Sequence, residues 1–326
     1  MNARDSSTAK IDPTQTESLQ LPYRIGCPMW GNRHWAGRFF ADGTKVVDYL
    51  SQYSTVFNTV EGNTTFYGLP SQATVERWAE DCPSSFQFCF KFPQRVTHAL
   101  RLKGAGDETA KFFSTLAPIA ENLGPFLLQL PPDFSPQSLR DLRVYIQNLP
   151  SDFQYTVEVR HLDFFHDADA DDALCELLEK QNIDRVIFDT RPLFSAKATT
   201  DAVRDAQKKK PRVPANTYCL ANNPSLRFIG HPDSERSEEY FRPWLRKVAG
   251  WIAEGKTPFV FLHTPDNADA PDLARRFHKG LQEFIPALPS LPLFPFEMQQ
   301  QQDASLQIRN EKISSAGIDE HQFDLF

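Results

Sequence analysis

The chain has 326 residues, 40% of them hydrophobic and 24% charged, with a formal net charge of −7. That length and apolar content suit one large α/β domain with tails and exclude a chain disordered throughout. The acidic balance argues against broad electrostatic binding to nucleic acid, which requires a basic face, and leaves direct nucleic-acid contact open only through a local basic groove.

In chain order, residues 1–21 carry no apolar core and read as a flexible N-terminal extension. Eight short apolar runs follow, starting near Ile25, Val56, Phe86, Phe126, Tyr155, Arg185, Leu226 and Phe259. Alternation is strict in the third. Phe86, Phe88, Phe90 and Phe92 share one face and Gln87, Cys89 and Lys91 the other, because strand side chains alternate with period two. The fifth places Thr156, Glu158 and Arg160 on one face, and the seventh sets Arg227, Ile229 and His231 against Leu226 and Phe228. The eighth, FVFLH, is apolar on both faces and leaves the direction of His263 open.

Helical patterns separate most of these runs. Ser71 before ATVERWAE and Ser135 with Pro136 before QSLRDLRVYIQNL are N-terminal signals. Further helices are expected over 107–122, 168–180, 237–253 and 272–284. Residues 192–216 form a polar insertion with room for one short helix, and Lys208, Lys209 and Lys210 read as a solvated run, with contact to a phosphate as the alternative. Parallel strands alternating with helices at roughly 30-residue spacing predict a (β/α)8 TIM-type barrel over 22–286. Residues 287–326 read as a Pro/Gln-rich tail outside the core.

The strands end on or beside Cys27, Glu61, Lys91, Gln129, Glu158 with Arg160, Asp189, His231 and His263. In a parallel barrel these ends converge on one face, where barrel chemistry occurs. A cation set of Lys91, Arg160 and Arg227 could hold an anion while a carboxylate desolvated by Trp30 and Tyr67 exchanges a proton. Glu61, Lys91 and Glu158 are therefore the catalytic candidates. Trp30, Asn63, Tyr67, Gln129, Arg160, Arg227 and His231 are the substrate-binding candidates. The competing reading is a buried ion network that fills a barrel layer, since inward charges must be paired.

Several motifs also resemble a known family. GCPMWGNRHWAGRFF, FNTVEGNTTFYGLPSQATVERWA, FKFPQRVTH, LGPFLLQLPPDF, VEVRH and RFIGHP resemble, in that order, the YecE-like family, also called domain of unknown function 72. The resemblance covers about Ile25 to Phe284 and implies a TIM-type barrel. It places the family pattern on Val60, Glu61, Asn63, Thr65, Phe66, Tyr67 and Pro70, then on Lys91, Thr97 and His98. It continues on Gln129 and Pro131, on Glu158, Arg160 and His161, and on Arg227 and Gly230.

Other chemistries are poorly represented. No Gly-x-Ser-x-Gly elbow, Gly-x-Gly-x-x-Gly fingerprint or phosphate loop occurs, so no dinucleotide, ATP or other organic cofactor is expected. Glu61, Glu158, His161, Asp189, His231 and His263 include metal-ligand types without a short ligand spacing, which keeps a divalent metal as a candidate. Cys27, Cys82, Cys89, Cys175 and Cys219 form an odd set with no Cys-x-x-Cys pair, which fits a reduced, cytoplasmic setting. No run approaches the roughly 18 apolar residues of a membrane span, so no membrane partner is expected.

The expected function is an enzyme of hydrolase or lyase type acting by acid/base chemistry on a small or oligomeric anionic substrate, with phosphorylated compounds as one class of candidate. The alternative is a non-catalytic module for nucleic acid or another ligand. The terminal QFDLF resembles the peptide by which bacterial proteins bind the replicative sliding clamp, with Gln322, Leu325 and Phe326 as partner-binding candidates.

Overall fold

A computed structural model describes residues 20–316 of the chain. The strands are β1 (Arg24–Gly26), β2 (Thr59–Gly62), β3 (Gln87–Phe90), β4 (Phe126–Gln129), β5 (Tyr155–Glu158), β6 (Asp184–Arg185), β7 (Ile187–Asp189), β8 (Ser225–Ile229) and β9 (Phe259–His263). The sixth apolar run is thus two short strands, interrupted at Val186. All ladders are parallel, in the orders β1-β9-β8-β7, β2-β3 and β4-β5-β6. The result is a mixed α/β domain in which helices follow most strands, as parallel pairing requires.

Single contacts join the ladders edge to edge. Lys91 bridges Leu127 between β3 and β4, and Phe92 N donates to Leu127 O at 3.0 Å. Between β1 and β2, Glu61 N donates to Cys27 O at 3.0 Å. Further down that seam the Tyr53 hydroxyl accepts from Cys27 N at 2.7 Å and donates to Thr59 O at 3.0 Å, taking the place of direct ladder bonds. Gly26 is required there, because a Cβ at that position would lie 2.0 Å from Thr59 O.

The phenylalanine face of β3 turns outward as its alternation dictates. Phe88 and Phe90 stack on Trp78 from the helix Gln72–Asp81, and Phe92 meets Phe112 from the helix Gly106–Leu116. Phe86, Phe88, Phe90 and Phe92 are all buried, each contributing about 2–3 kcal/mol of hydrophobic stabilisation. On the opposite side, Cys89, Phe259 and Phe261 cluster together, and the space left among them, Leu127, Thr156, Ser225, Glu61 and Arg227 is about 10 Å³. Such a space holds one water at most, so the strand interior is a packed floor.

Helix starts follow their signals unevenly. Ser71 accepts from Thr74 N, whereas Ser135 makes no capping bond and leads into a 3-10 turn before Leu139–Ile146. The helix expected over 107–122 breaks after Leu116, where Pro118 and the non-helical Ile119 force a 3-10 segment.

Two expectations are corrected. The insertion holds two helices, Arg191–Ser195 and Asp201–Lys209, because Leu193, Ala196, Val203, Ala206 and Val213 pack on Phe188 and Ile229. The stretch after 286 also belongs partly to the core. Leu288 and Phe294 are buried, and the helix Pro295–Ala316 is fixed by a two-bond pair from Arg275 to Glu297, at 2.6 and 2.8 Å. Residues 1–19 and 317–326, including Gln322, Leu325 and Phe326, lie outside the described residues.

Candidate functional site

β2 and β3 pair with Glu61 beside Cys89, and β4 and β5 pair with Gln129 directly opposite Glu158. Those registers bring Glu61, Lys91, Gln129 and Glu158 to the same end of the strands. Arg227 on β8 joins them from across the interior. Its Nε and Nη2 donate to Glu61 at 2.6 and 2.8 Å, and its Nη1 donates to Glu158.

Lys91 Nζ donates to Gln129 Oε1 at 3.0 Å and lies 3.3 Å from Glu61. Arg160 donates to Glu158 at 2.7 Å and to the same Gln129 oxygen at 2.9 Å. Gln129 Oε1 is therefore a shared acceptor that holds two like charges side by side. Asn63 Nδ2 reaches Glu61 Oε1 at 3.0 Å and Pro28 O at 2.7 Å, which pins the carboxylate to the loop after β1. Phe188 offers its ring to both guanidinium groups, 5.1 Å from Arg227 and 5.8 Å from Arg160.

The charges respond to this crowding. Burial alone would raise the Glu61 carboxyl, but Arg227 and Lys91 outweigh it and hold it well below the usual range. Glu158, also pushed up by burial, is brought down to about 2 by Arg227, Arg160 and Lys91. Burial and the neighbouring Arg227 lower Lys91 to about 8 despite Glu61 and Glu158. Both carboxylates are thus ionised near neutrality, and Lys91 is the member poised to titrate there.

His263 turns inward, answering the ambiguity of its strand. Its Nε2 lies 3.4 Å from Glu61 Oε2 without the alignment of a hydrogen bond, and burial lowers it to about 4, so it stays neutral. Thr264 Oγ1 beside it in sequence is buried with no partner among the described residues.

Some candidates take other positions. Trp30 packs edge-on against Trp78 and Phe88, on the outer core. Tyr67 is 80% exposed, with the edge of Phe66 as its ring contact among the described residues, so it does not desolvate Glu61. Cations supply the covering instead. His231 folds into its own turn, accepting from Asp233 N at 2.9 Å through Nδ1 while Ser237 Oγ accepts from its backbone N.

Among the described residues no group of three or more His, Cys, Asp or Glu side chains is placed to hold a metal ion. Glu61 and Glu158 are committed to Arg227, and Asp189 is held by Arg191 and by Trp244 Nε1 at 2.7 Å. Cys27 is buried and its thiol is pushed up by burial, which makes it inert. No helix among the described residues is long and apolar enough to cross a membrane.

Three residues near the cluster were not among the site candidates drawn from the sequence: Phe188 was unmarked, His98 entered only with the family motif and Lys210 only with the lysine run. Phe188 is the shared ring platform. His98, part-buried with its Nδ1 2.8 Å from Thr97 Oγ1, is lowered by burial and by the charge of Arg160. Lys210, expected in solvent with Lys208 and Lys209, is drawn in and feels Arg227, Lys91 and Arg160. Contact between remote segments places all three, and no local pattern encodes it.

Comparison with known proteins agrees with these motifs. Residues 24–293 match the family model described as "Protein of unknown function DUF72". The UPF0759 protein YecE of Escherichia coli K12 is 39% identical over 271 residues, 83% of this chain and 97% of that protein. Its counterpart in Escherichia coli O157:H7 is 38% identical over the same lengths. A DUF72 family protein from Thermotoga maritima MSB8 superposes with a TM-score of 0.61 at 22% identity, covering 80% of this chain and 99% of its own. Another from Enterococcus faecalis V583 gives 0.54 at 19% identity, over 73% and 93%. With its parallel strands, its motifs and its match across most of the length, the chain belongs to the DUF72 family.

Proposed function

We propose that the three ladders are arcs of one (β/α)8 barrel, and that the protein is an enzyme of hydrolase or lyase type whose strand-end site binds an anionic substrate. The observation that carries this reading is the surplus of cations. Among the described residues Lys91, Arg160 and Arg227 form ion pairs only with Glu61 and Glu158, and a buried network that merely filled a layer would balance its charges. Arg160 is the most exposed of the five, with its side chain 15% accessible, and therefore offers the first contact to a ligand.

In this reading the roles divide by ionisation. Glu61 and Glu158 hold the cations in place and, being ionised, do not serve as proton donors. Lys91, lowered to about 8, exchanges the proton with substrate. Arg160 and Gln129 orient the anion, and Arg227 supplies fixed positive charge from below.

Binding and turnover measured together test the proposal. Inorganic phosphate titrated calorimetrically into the protein should bind, and phosphate release from a panel of phosphate monoesters should depend on Lys91. Binding without turnover of any ester supports a non-catalytic ligand-binding module. Absence of binding removes the anion site.

A second reading concerns the C-terminal helix. Residues 300–311 are all exposed, with Leu306 and Ile308 each 55% accessible, so this stretch is not consumed by packing on the body. That favours the terminal QFDLF acting as a docking peptide for the bacterial sliding clamp. Capture of purified clamp by the full chain, lost on deletion of residues 322–326, is the expected result; equal capture by both proteins contradicts it.

A further inference from the structure

The insertion after β7 brings one more charge to this site. Lys210 follows the helix Asp201–Lys209, with its backbone N donating to Ala206 O at 3.1 Å. The next residue, Pro211, gives its carbonyl to Thr190 Oγ1 at 3.0 Å. Thr190 is buried directly after the C-terminal end of β7, so this bond holds the Lys210 backbone at the strand ends. Val203 and Ala206 pack the preceding helix onto Phe188, the ring that lies under Arg160 and Arg227.

Lys208 and Lys209 remain exposed, and Lys209 pairs with Asp205 at 2.8 Å. Lys210 is different. It is part-buried, and its ammonium has no hydrogen bond or ion pair among the described residues. Burial first, then the charges of Arg227, Lys91 and Arg160, push it down to about 7, with only Glu61 acting in the other direction among the leading influences. A lysine that merely completed the helix C-terminus would gain by turning toward solvent, where its charge is hydrated.

We infer that Lys210 is a ligand-binding residue which completes, with Lys91, Arg160 and Arg227, a pocket for a doubly charged phosphoryl group of the phosphate-monoester class. Four cations then stand against two carboxylates, a difference that one dianion neutralises and a singly charged diester does not. The same dianion relieves the mutual repulsion of the lysines and arginines and restores the Lys210 proton. This inference rests on the anion-site reading above and adds its charge selectivity.

Calorimetric titration at pH 7.5 with inorganic phosphate and with dimethyl phosphate, a singly charged comparator, tests it in wild-type protein and in the Lys210→Met, Lys210→Arg and Arg160→Met variants. Wild-type protein should prefer phosphate. Lys210→Met should weaken phosphate binding about tenfold, as expected for one charge-assisted contact, while leaving dimethyl phosphate and the melting temperature nearly unchanged. Lys210→Arg should retain the preference. Unchanged phosphate affinity in Lys210→Met, with binding lost in a folded Arg160→Met, overturns the role of Lys210 and leaves the anion site standing. A wild-type protein that binds neither anion overturns both.

Discussion

Arg227 grips Glu61 through two parallel hydrogen bonds, Nε to Oε2 at 2.6 Å and Nη2 to Oε1 at 2.8 Å, while its remaining nitrogen binds Glu158. This fork joins β8 to β2 and β5. Removing it with Arg227→Met leaves two buried carboxylates without their common partner. The expected cost is about 3–5 kcal/mol of unfolding free energy, the usual penalty for breaking a buried ion pair on one side. Chemical denaturation gives the value directly, and a loss under about 1 kcal/mol would show that the fork is not structural.

The acid side of the stability profile should carry the signature of Glu158. Its folded carboxyl is held at about 2, below the roughly 4.3 of an unfolded glutamate, so the folded state prefers the ionised form. That stabilisation is complete above about pH 4.3 and is lost as pH falls toward 2. Denaturant midpoints measured from pH 6 to pH 2 should drop across this window, and Glu158→Gln should flatten the drop. An equal drop in both proteins would assign the acid sensitivity elsewhere.

Anion affinity should show the opposite side of the same electrostatics. Lys91 at about 8 and Lys210 at about 7 bind an anion when protonated, so affinity is full below about pH 6 and declines as pH rises through both values. Lys91 is flanked by Glu61 and Glu158, both held below that range by the cations, and by Arg227, raised above it by the two carboxylates; it shares Gln129 Oε1 with Arg160. Sulfate, doubly charged throughout, is the suitable probe. Its affinity should fall about a hundredfold between pH 6 and pH 9, roughly the worth of two lost charge-assisted contacts. A flat profile would mean that neither lysine touches the anion.

The chain beyond residue 286 should matter for stability. Phe294 is buried under the Arg275 guanidinium, 3.2 Å from its ring centre, and Glu297 fixes that arginine. Phe294→Ala should cost about 3 kcal/mol, in the usual range for a buried phenylalanine. Truncation after residue 286 should cost at least as much. Thermal unfolding unchanged by either alteration would restore the reading of this segment as a loose tail.

What the sequence disclosed and what it hid divide along the distance over which each feature is specified. The outward phenylalanines of β3 and the inward Lys91 follow from alternation within seven residues, and the structure agrees with both. The gathering of Glu61, Lys91, Glu158 and Arg227 follows from strand polarity, which residue spacing reveals. Their pairing is another matter, because the reach of Arg227 across the interior depends on register between strands remote in sequence. Lys210 looked like its two neighbours since three consecutive lysines carry no local sign of which one turns inward. Its direction is set by the Thr190–Pro211 bond and the small core around Phe188. Phe294 was obscured for the same reason: its partner, Arg275, lies on another helix.

A crystal grown with inorganic phosphate puts the anion site to the test. Tetrahedral density should appear at the strand ends, within hydrogen-bond distance of Arg160 and Lys91, with Glu61 and Glu158 still joined by Arg227. Density found only elsewhere on the surface, with Lys91 and Arg160 still sharing Gln129 Oε1 and no anion beside them, would contradict it.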